Sequence, residues 1–272
     1  MISERLFRRG QKSWIGMVHL LPLPGSPRFG GSISEVVKRA CRDAEILCSG
    51  GVAGLIVENY GDVPFFAAAV PPETVAAMAV VAAAIRERAA VPMGINVLRN
   101  DALSALAIAA ATGADFIRCN VHCGAAVTDQ GIVSGSAAQT LRKRAELGVP
   151  VEIWADVMVK HSQPLGETSI EALARDTAWR GLADALILSG EATGKPTPPD
   201  RLEKVRKAVP DRPLLVGSGI TAANLPDYYP FADGFIVGTS LKEGEVTERP
   251  VSRRRVERFR RVWEAARRRG KK

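Results

Sequence analysis

The sequence predicts a single (β/α)8 barrel spanning residues 1–272, and three observations carry that expectation. Eight short runs rich in Val, Ile and Leu alternate strictly with helical patterns. Strict alternation implies parallel strands joined by helical crossovers. Eight such units in one chain of 272 residues suit a closed barrel, and no G-x-G-x-x-G follows the first run as a dinucleotide fold would show.

The runs, in order, are IGMVHL (15–20), GLIVEN (54–59), PMGINVL (92–98), FIRCNV (116–121), VEIWADV (151–157), ALILSG (185–190), PLLVGSG (213–219) and GFIVGTS (234–240). The first helix, Ile33–Leu47, starts after Ser32, a good N-cap, and repeats apolar residues at helical spacing. Thr74–Ala90 and Ala102–Ala111 are Ala-rich, and Gly113 is placed to end the second. Ala137–Leu147 stops at Gly148, and Ser169–Gly181 and Asp200–Ala208 follow. The seventh helix is stunted, with only TAANLPDYY (221–229) before Pro230. The eighth is the basic segment 251–268.

That last segment dominates the charge. Residues 249–272 carry twelve Arg or Lys against Glu257 and Glu264, so a net charge of +8 for the chain leaves about −2 for everything before. The basicity is one helix, which argues against a nucleic-acid-binding face. Val256, Phe259, Val262, Trp263 and Ala266 form one stripe on it. A membrane-surface helix has such a stripe, and so does a barrel helix burying itself against the first and eighth strands. The circular order needs an eighth helix, so the barrel role is expected and a peripheral membrane contact is the alternative. No apolar run approaches the roughly 20 residues of a membrane span, and MISERLFRRGQKSW lacks the apolar stretch of a signal peptide. A cytoplasmic protein is expected, with self-association left open.

Four cysteines, Cys41, Cys48, Cys119 and Cys123, are too few for a disulfide framework. Cys119, His122 and Cys123 offer three soft ligands with no partner motif, so strand-end packing is expected rather than zinc. No cofactor motif is present, and a need for a divalent metal is not readable.

The seventh and eighth runs end alike, in Gly217-Ser218-Gly219 and Gly238-Thr239-Ser240. In such barrels the loops after strands seven and eight often form a phosphate site. Glycines allow close backbone approach, successive N–H groups favour an anion, and Lys242 is placed to add a charge. A small phosphorylated ligand is the expected partner.

Side chains two apart on a strand share a face. That places His19, Glu58, Asn96, Asn120 and Asp156 at the mouth where barrel enzymes keep their chemistry. Asp156 and Glu58 are the acid–base candidates, with Asn96 and Asn120 orienting a substrate hydroxyl or carbonyl. His122, Lys160 and Ser189 are further mouth candidates, with His161 beside them. Arg118 and Glu152 lie deeper and are expected to pair with each other. Long loops follow the first, second, fourth and sixth runs, and Arg28, Asp62, Asp129, Thr193 and Lys195 are their polar groups most able to reach inward.

MVHLLPLPGSPRF, ENYGDVPF, GINVLRND, FIRCNVHCGA, TDQG, VKHSQPL, VGSGI and GFIVGTSLK together closely resemble the BtpA/SgcQ family, from about Met17 to Lys242. The resemblance implies a phosphate-binding barrel. It implies roles as different as photosystem I biogenesis and carbohydrate metabolism, and no catalytic residues come with it. The leading expectation is an enzyme (isomerase, lyase or hydrolase) acting on a sugar or ribose phosphate. The alternative is a non-catalytic factor in assembling membrane complexes.

Overall fold

The computed structural model describes residues 1–7, 11–166, 168–190 and 197–270. Eight parallel strands close into a barrel: β1 (Ser13–His19), β2 (Gly54–Glu58), β3 (Met93–Asn96), β4 (Phe116–Cys119), β7 (Glu152–Met158), β9 (Ala185–Leu188), β10 (Leu214–Val216) and β11 (Gly234–Val237). The ring shuts where β1 pairs with β11, Ser13 opposite Gly234 and Gly16 opposite Val237. Helices α2 (Ile33–Ser49), α3 (Pro72–Arg86), α4 (Ala102–Thr112), α5 (Ala137–Leu147), α6 (Ile170–Arg175), α7 (Pro199–Ala208), α8 (Leu225–Tyr228) and α9 (Arg253–Arg269) fill the crossovers. The signals that place them are local. Ser32 Oγ caps α2 by accepting the Glu35 N–H, and Gly113 and Gly148 end α4 and α5 in the left-handed conformation.

Two cores result from the two faces of each strand. Ile15, Met17, Ile56, Phe116, Trp154, Ile187, Leu215 and Ile236 fill the barrel, while residues such as Val18, Leu55, Ile117 and Leu186 pack on helices. Phe116 stacks on Trp154 with ring centroids 3.6 Å apart, over Gly94, where any Cβ would collide with the Phe116 ring. A repeated polar device aligns the strand starts. Asp115, Asp184 and Asp233 each accept the N–H that opens or nearly opens the preceding barrel strand, and each is gripped by an arginine from the helix that leads into that strand (Arg86, Arg144 and Arg206).

The basic helix α9 buries Val256, Phe259, Trp263 and Ala266 and turns its arginines to solvent, so the barrel role expected of it holds. Trp263 meets Phe235 and Tyr229 edge-on.

Three features depart from the sequence reading. The segment before the first strand contains α1 (Ile2–Leu6), which plugs the barrel floor: Ser3 donates its N–H and hydroxyl to Glu152, and Phe7 packs on Trp154. Glu152 therefore pairs with this plug and the Trp154 indole, not with Arg118. The loops after the fourth and fifth barrel strands are not irregular. They form an antiparallel sheet of β5 (Ala125–Thr128), β6 (Gly131–Ser134) and β8 (Ser162–Pro164) beside the mouth.

Candidate functional site

A cavity of about 370 Å³ opens at the C-terminal ends of the barrel strands. One wall is backbone: Gly217–Thr221 after β10 and Gly238–Ser240 after β11. The other is side chain: His19 from β1, Glu58 from β2, Arg118 from β4 and Lys160 from the β7–β8 connection. The volume suits a small metabolite.

The backbone wall is rich in unused donors. Among the described residues, the N–H groups of Gly219, Ile220, Thr239 and Ser240 find no internal acceptor, whereas Gly217 donates to Leu188. Gly219, Thr239 and Ser240 are half-buried and Ile220 is buried, and backbone N–H groups left open around one cavity form a surface suited to an anion. The glycines serve this wall in different ways. Gly219 takes a left-handed φ of 72° that favours glycine. At Gly217 an added Cβ would meet the Ser189 hydroxyl at 2.6 Å, and at Gly238 it would meet the His19 ring at 2.8 Å. Those two are small because neighbouring strands press on them. The hydroxyls are already engaged, Ser240 donating to the Ile220 carbonyl and Thr239 bonding Thr247.

Lys242 does not reach this wall. Its side chain is fully buried with Nζ 2.9 Å from Asp43 Oδ2 on α2, and Asp43 also accepts the Val251 N–H. The expected phosphate cation is instead a clamp between α2 and the segment leading into α9, because 3-10 pairing over Thr239–Leu241 turns the chain outward there.

The four expected catalytic side chains separate into two groups. Glu58 lines the cavity, with one oxygen 3.6 Å from His19 Nε2, beyond hydrogen-bonding distance. Asp156, Asn96 and Asn120 lie beneath. Asp156 takes both arms of Arg118 at 3.0 and 3.1 Å, the Asn120 amide at 2.9 Å and the Ser189 hydroxyl at 3.2 Å. Asn96 in turn donates to Asn120 Oδ1 and to the Arg118 carbonyl. Each Asp156 oxygen already accepts two donors, so this carboxylate holds Arg118 in place and has no lone pair to spare for a substrate proton. Ser189 belongs to the same network.

Lys160 and His19 are displaced in proton affinity. Burial lowers the Lys160 ammonium, opposed by Glu58 and Asp156 and reinforced by Arg118 and Arg99. Among the described residues its Nζ has no hydrogen bond. Burial pushes His19 well below the ordinary histidine value, and Lys242, Lys160 and Arg118 add to the effect, so its ring is neutral at pH 7. Below about pH 6.5 the unfolded chain binds a proton at this position that the folded chain refuses. Stability from this group is therefore complete above that pH and falls as pH drops toward the lowered value. In thermal melts between pH 7 and pH 5, His19→Gln is expected to flatten the decline. An unchanged slope would mean that His19 does not titrate differently in the two states.

His122 points away from the mouth, its Nε2 bonded to the Gly181 carbonyl at 2.8 Å. The strand has ended at Cys119, so period-two alternation no longer fixes direction at 122. Among the loop residues, Asp62 ties two loops together by accepting from Leu23 and Asn59, and Arg28 and Asp129 are exposed. Thr193 and Lys195 lie outside the described residues. Among those described, no cluster of three or more His, Cys, Asp or Glu could hold a metal. No helix among them is long and apolar enough to cross a membrane.

Arg99 was not legible as a site residue, yet it donates to the Lys160 carbonyl at 2.5 Å and fixes that segment. Its only sequence signal is its place just past the third strand. Glu245 also lines the cavity, facing Arg255 at 2.6 Å, and comes from the loop that leads to α9.

Comparison with solved structures places this barrel beside phosphoribosyl anthranilate isomerase from Thermus thermophilus. The TM-score is 0.57 at 10% identity, over 93% of this chain and 98% of that one. KGPDC from Streptococcus mutans matches with a TM-score of 0.55 at 12% identity, over 94% and 98%. Such identities show a shared TIM-barrel fold. Among sequences, the photosystem I biogenesis protein BtpA of Synechocystis is 48% identical over 86% of this chain and 82% of that protein. An uncharacterized protein of Thermococcus kodakarensis is 46% identical over 94% and 95%. The BtpA family model matches residues 10–265, and the chain belongs to that family.

Proposed function

We propose that this chain binds a small phosphorylated metabolite, a sugar or ribose phosphate, and acts on it by proton transfer as an isomerase, lyase or hydrolase. One observation carries the reading: four N–H groups without internal acceptors face a cavity whose opposite wall holds Glu58, His19 and Lys160. The phosphate sits on the N–H wall after β10 and β11, and the rest of the molecule extends toward Glu58. With both Asp156 oxygens occupied, Glu58 is the general base, and Arg118 supplies fixed positive charge at the cavity floor. Enzymes named for phosphorylated substrates among the structural relatives, such as phosphoribosyl anthranilate isomerase, support the reading by fold alone.

The test removes one donor at a time. Proline at 239 deletes the Thr239 N–H at the first position of a helical turn, where proline is tolerated. A hydrogen bond to a charged group contributes about 1.5–3 kcal/mol, so Thr239→Pro should weaken ribose 5-phosphate binding by roughly tenfold or more in calorimetry. Thr239→Val, which loses only the hydroxyl, should leave affinity within about twofold, well under the 1.4 kcal/mol of a tenfold change. Equal losses would place the ligand on the hydroxyl or elsewhere.

A second reading, an assembly factor for membrane complexes, is favoured by the name of the Synechocystis relative. On this chain its physical handle is the arginine-covered outer face of α9, since the apolar stripe is already buried. Binding to anionic vesicles that vanishes at high salt would support it.

A further inference from the structure

We propose that Lys160 is a nucleophile whose amine condenses with the carbonyl carbon of a phosphorylated aldehyde or ketone, forming an imine in the mouth cavity. The inference deepens the proposed function and rests on the phosphate reading of the β10–β11 wall, because that wall selects which carbonyl compound is presented.

Geometry comes first. Lys160 lines the same cavity as Gly219, Ile220, Thr239 and Ser240. Its backbone is pinned by the Arg99 guanidinium, while its Nζ makes no hydrogen bond among the described residues. A partly buried lysine head left without a carboxylate partner is unusual. The fully buried Lys242, by contrast, has a partner in Asp43 at 2.9 Å. Cationic neighbours and burial are the two devices that make a lysine nucleophilic. Both are present: Arg118 and Arg99 stand near, and desolvation lowers the ammonium's proton affinity. Glu58, Asp156, His19 and His161 are the other titratable groups around it.

The chemistry needs no outside redox partner. The neutral amine adds its lone pair to the carbonyl carbon, and the carbonyl oxygen takes up a proton. The carbinolamine nitrogen then loses a proton and the hydroxyl, protonated in turn, leaves as water. Glu58, a cavity-wall carboxylate on the same side as Lys160 and without a hydrogen-bond partner among the described residues, is placed to carry these protons. The iminium so formed is an electron sink, which would favour lyase or isomerase chemistry at the adjacent carbon over hydrolysis.

Reductive trapping tests the proposal. The full chain is incubated with glyceraldehyde 3-phosphate and cyanoborohydride, and adducts are mapped by peptide mass spectrometry. One dominant adduct is expected at Lys160, forming at a lower pH than adducts at surface lysines, and suppressed by inorganic phosphate. Lys160→Arg and Lys160→Gln should both lose that adduct while keeping the thermal midpoint. Labelling scattered over surface lysines, with residue 160 unmodified while ribose 5-phosphate still binds, would overturn the imine and leave the phosphate reading standing. An adduct at 160 that saturating phosphate does not suppress would overturn the anchored geometry. If ribose 5-phosphate fails to bind at all, both readings fall together.

Discussion

Asp156→Asn is expected to cost the fold about 3–5 kcal/mol, the usual loss when one member of a buried ion pair is neutralised. Arg118 and Asp156 are both almost completely buried, and Arg118 spends two of its donors on this carboxylate. An amide can accept from only one side, so the guanidinium keeps its charge in a dry site with half its compensation gone. Arg118's other near neighbour, the Ser189 hydroxyl at 3.4 Å, cannot replace it. Denaturant titration should show the midpoint falling at an unchanged slope. Pairing the change with Arg118→Met should recover part of the loss, since the double variant leaves no unpaired charge. A single variant with wild-type stability would return Asp156 to the list of candidate bases.

Lys242→Ala should be comparably damaging, and for a reason unrelated to any ligand. Removing the ammonium leaves the Asp43 side chain at zero exposure with only the Val251 N–H and a 3.3 Å contact to Arg39. About 3–5 kcal/mol is again the scale, which in a chain of this size lowers the melting temperature by roughly 10 °C or more. Phosphate affinity of the folded fraction should be unchanged. A variant that kept its melting temperature but lost phosphate binding would put Lys242 back in the cradle.

These two residues show where sequence reading succeeds and fails. The eight strands and their order follow from apolar runs alternating with helical patterns, and the inward set His19, Glu58, Asn96, Arg118, Asn120 and Asp156 follows from period-two alternation, a property of the strand itself. Partnership is not such a property. Arg118 has two inward carboxylates within one strand's reach, Glu152 and Asp156, and the choice depends on α1 supplying Ser3 to the first. A plug of five residues carries no periodic signal strong enough to announce that. Past the strand ends the chain turns by hydrogen bonds specific to each loop, so His122 and Lys242 leave the cavity while Lys160 enters it. The antiparallel sheet is not legible in the sequence because its strands are only three or four residues long and β8 joins the β5–β6 hairpin from a different loop.

The barrel closes at the β1–β11 seam, and that seam runs through the cavity, with His19 at the end of one strand and Gly238 just past the other. These two strands are more than two hundred residues apart along the chain, so their pairing closes the longest loop in the ring and belongs among the slow events of folding. A ligand held as proposed, by Thr239 and Ser240 on one side and Glu58 on the other, would lie across this seam like a rivet. It could bind only after closure, so it would add nothing to the rate of folding and would act on the rate of opening instead. Filling the site would then lengthen the lifetime of the closed ring, so binding would also be read as resistance to unfolding.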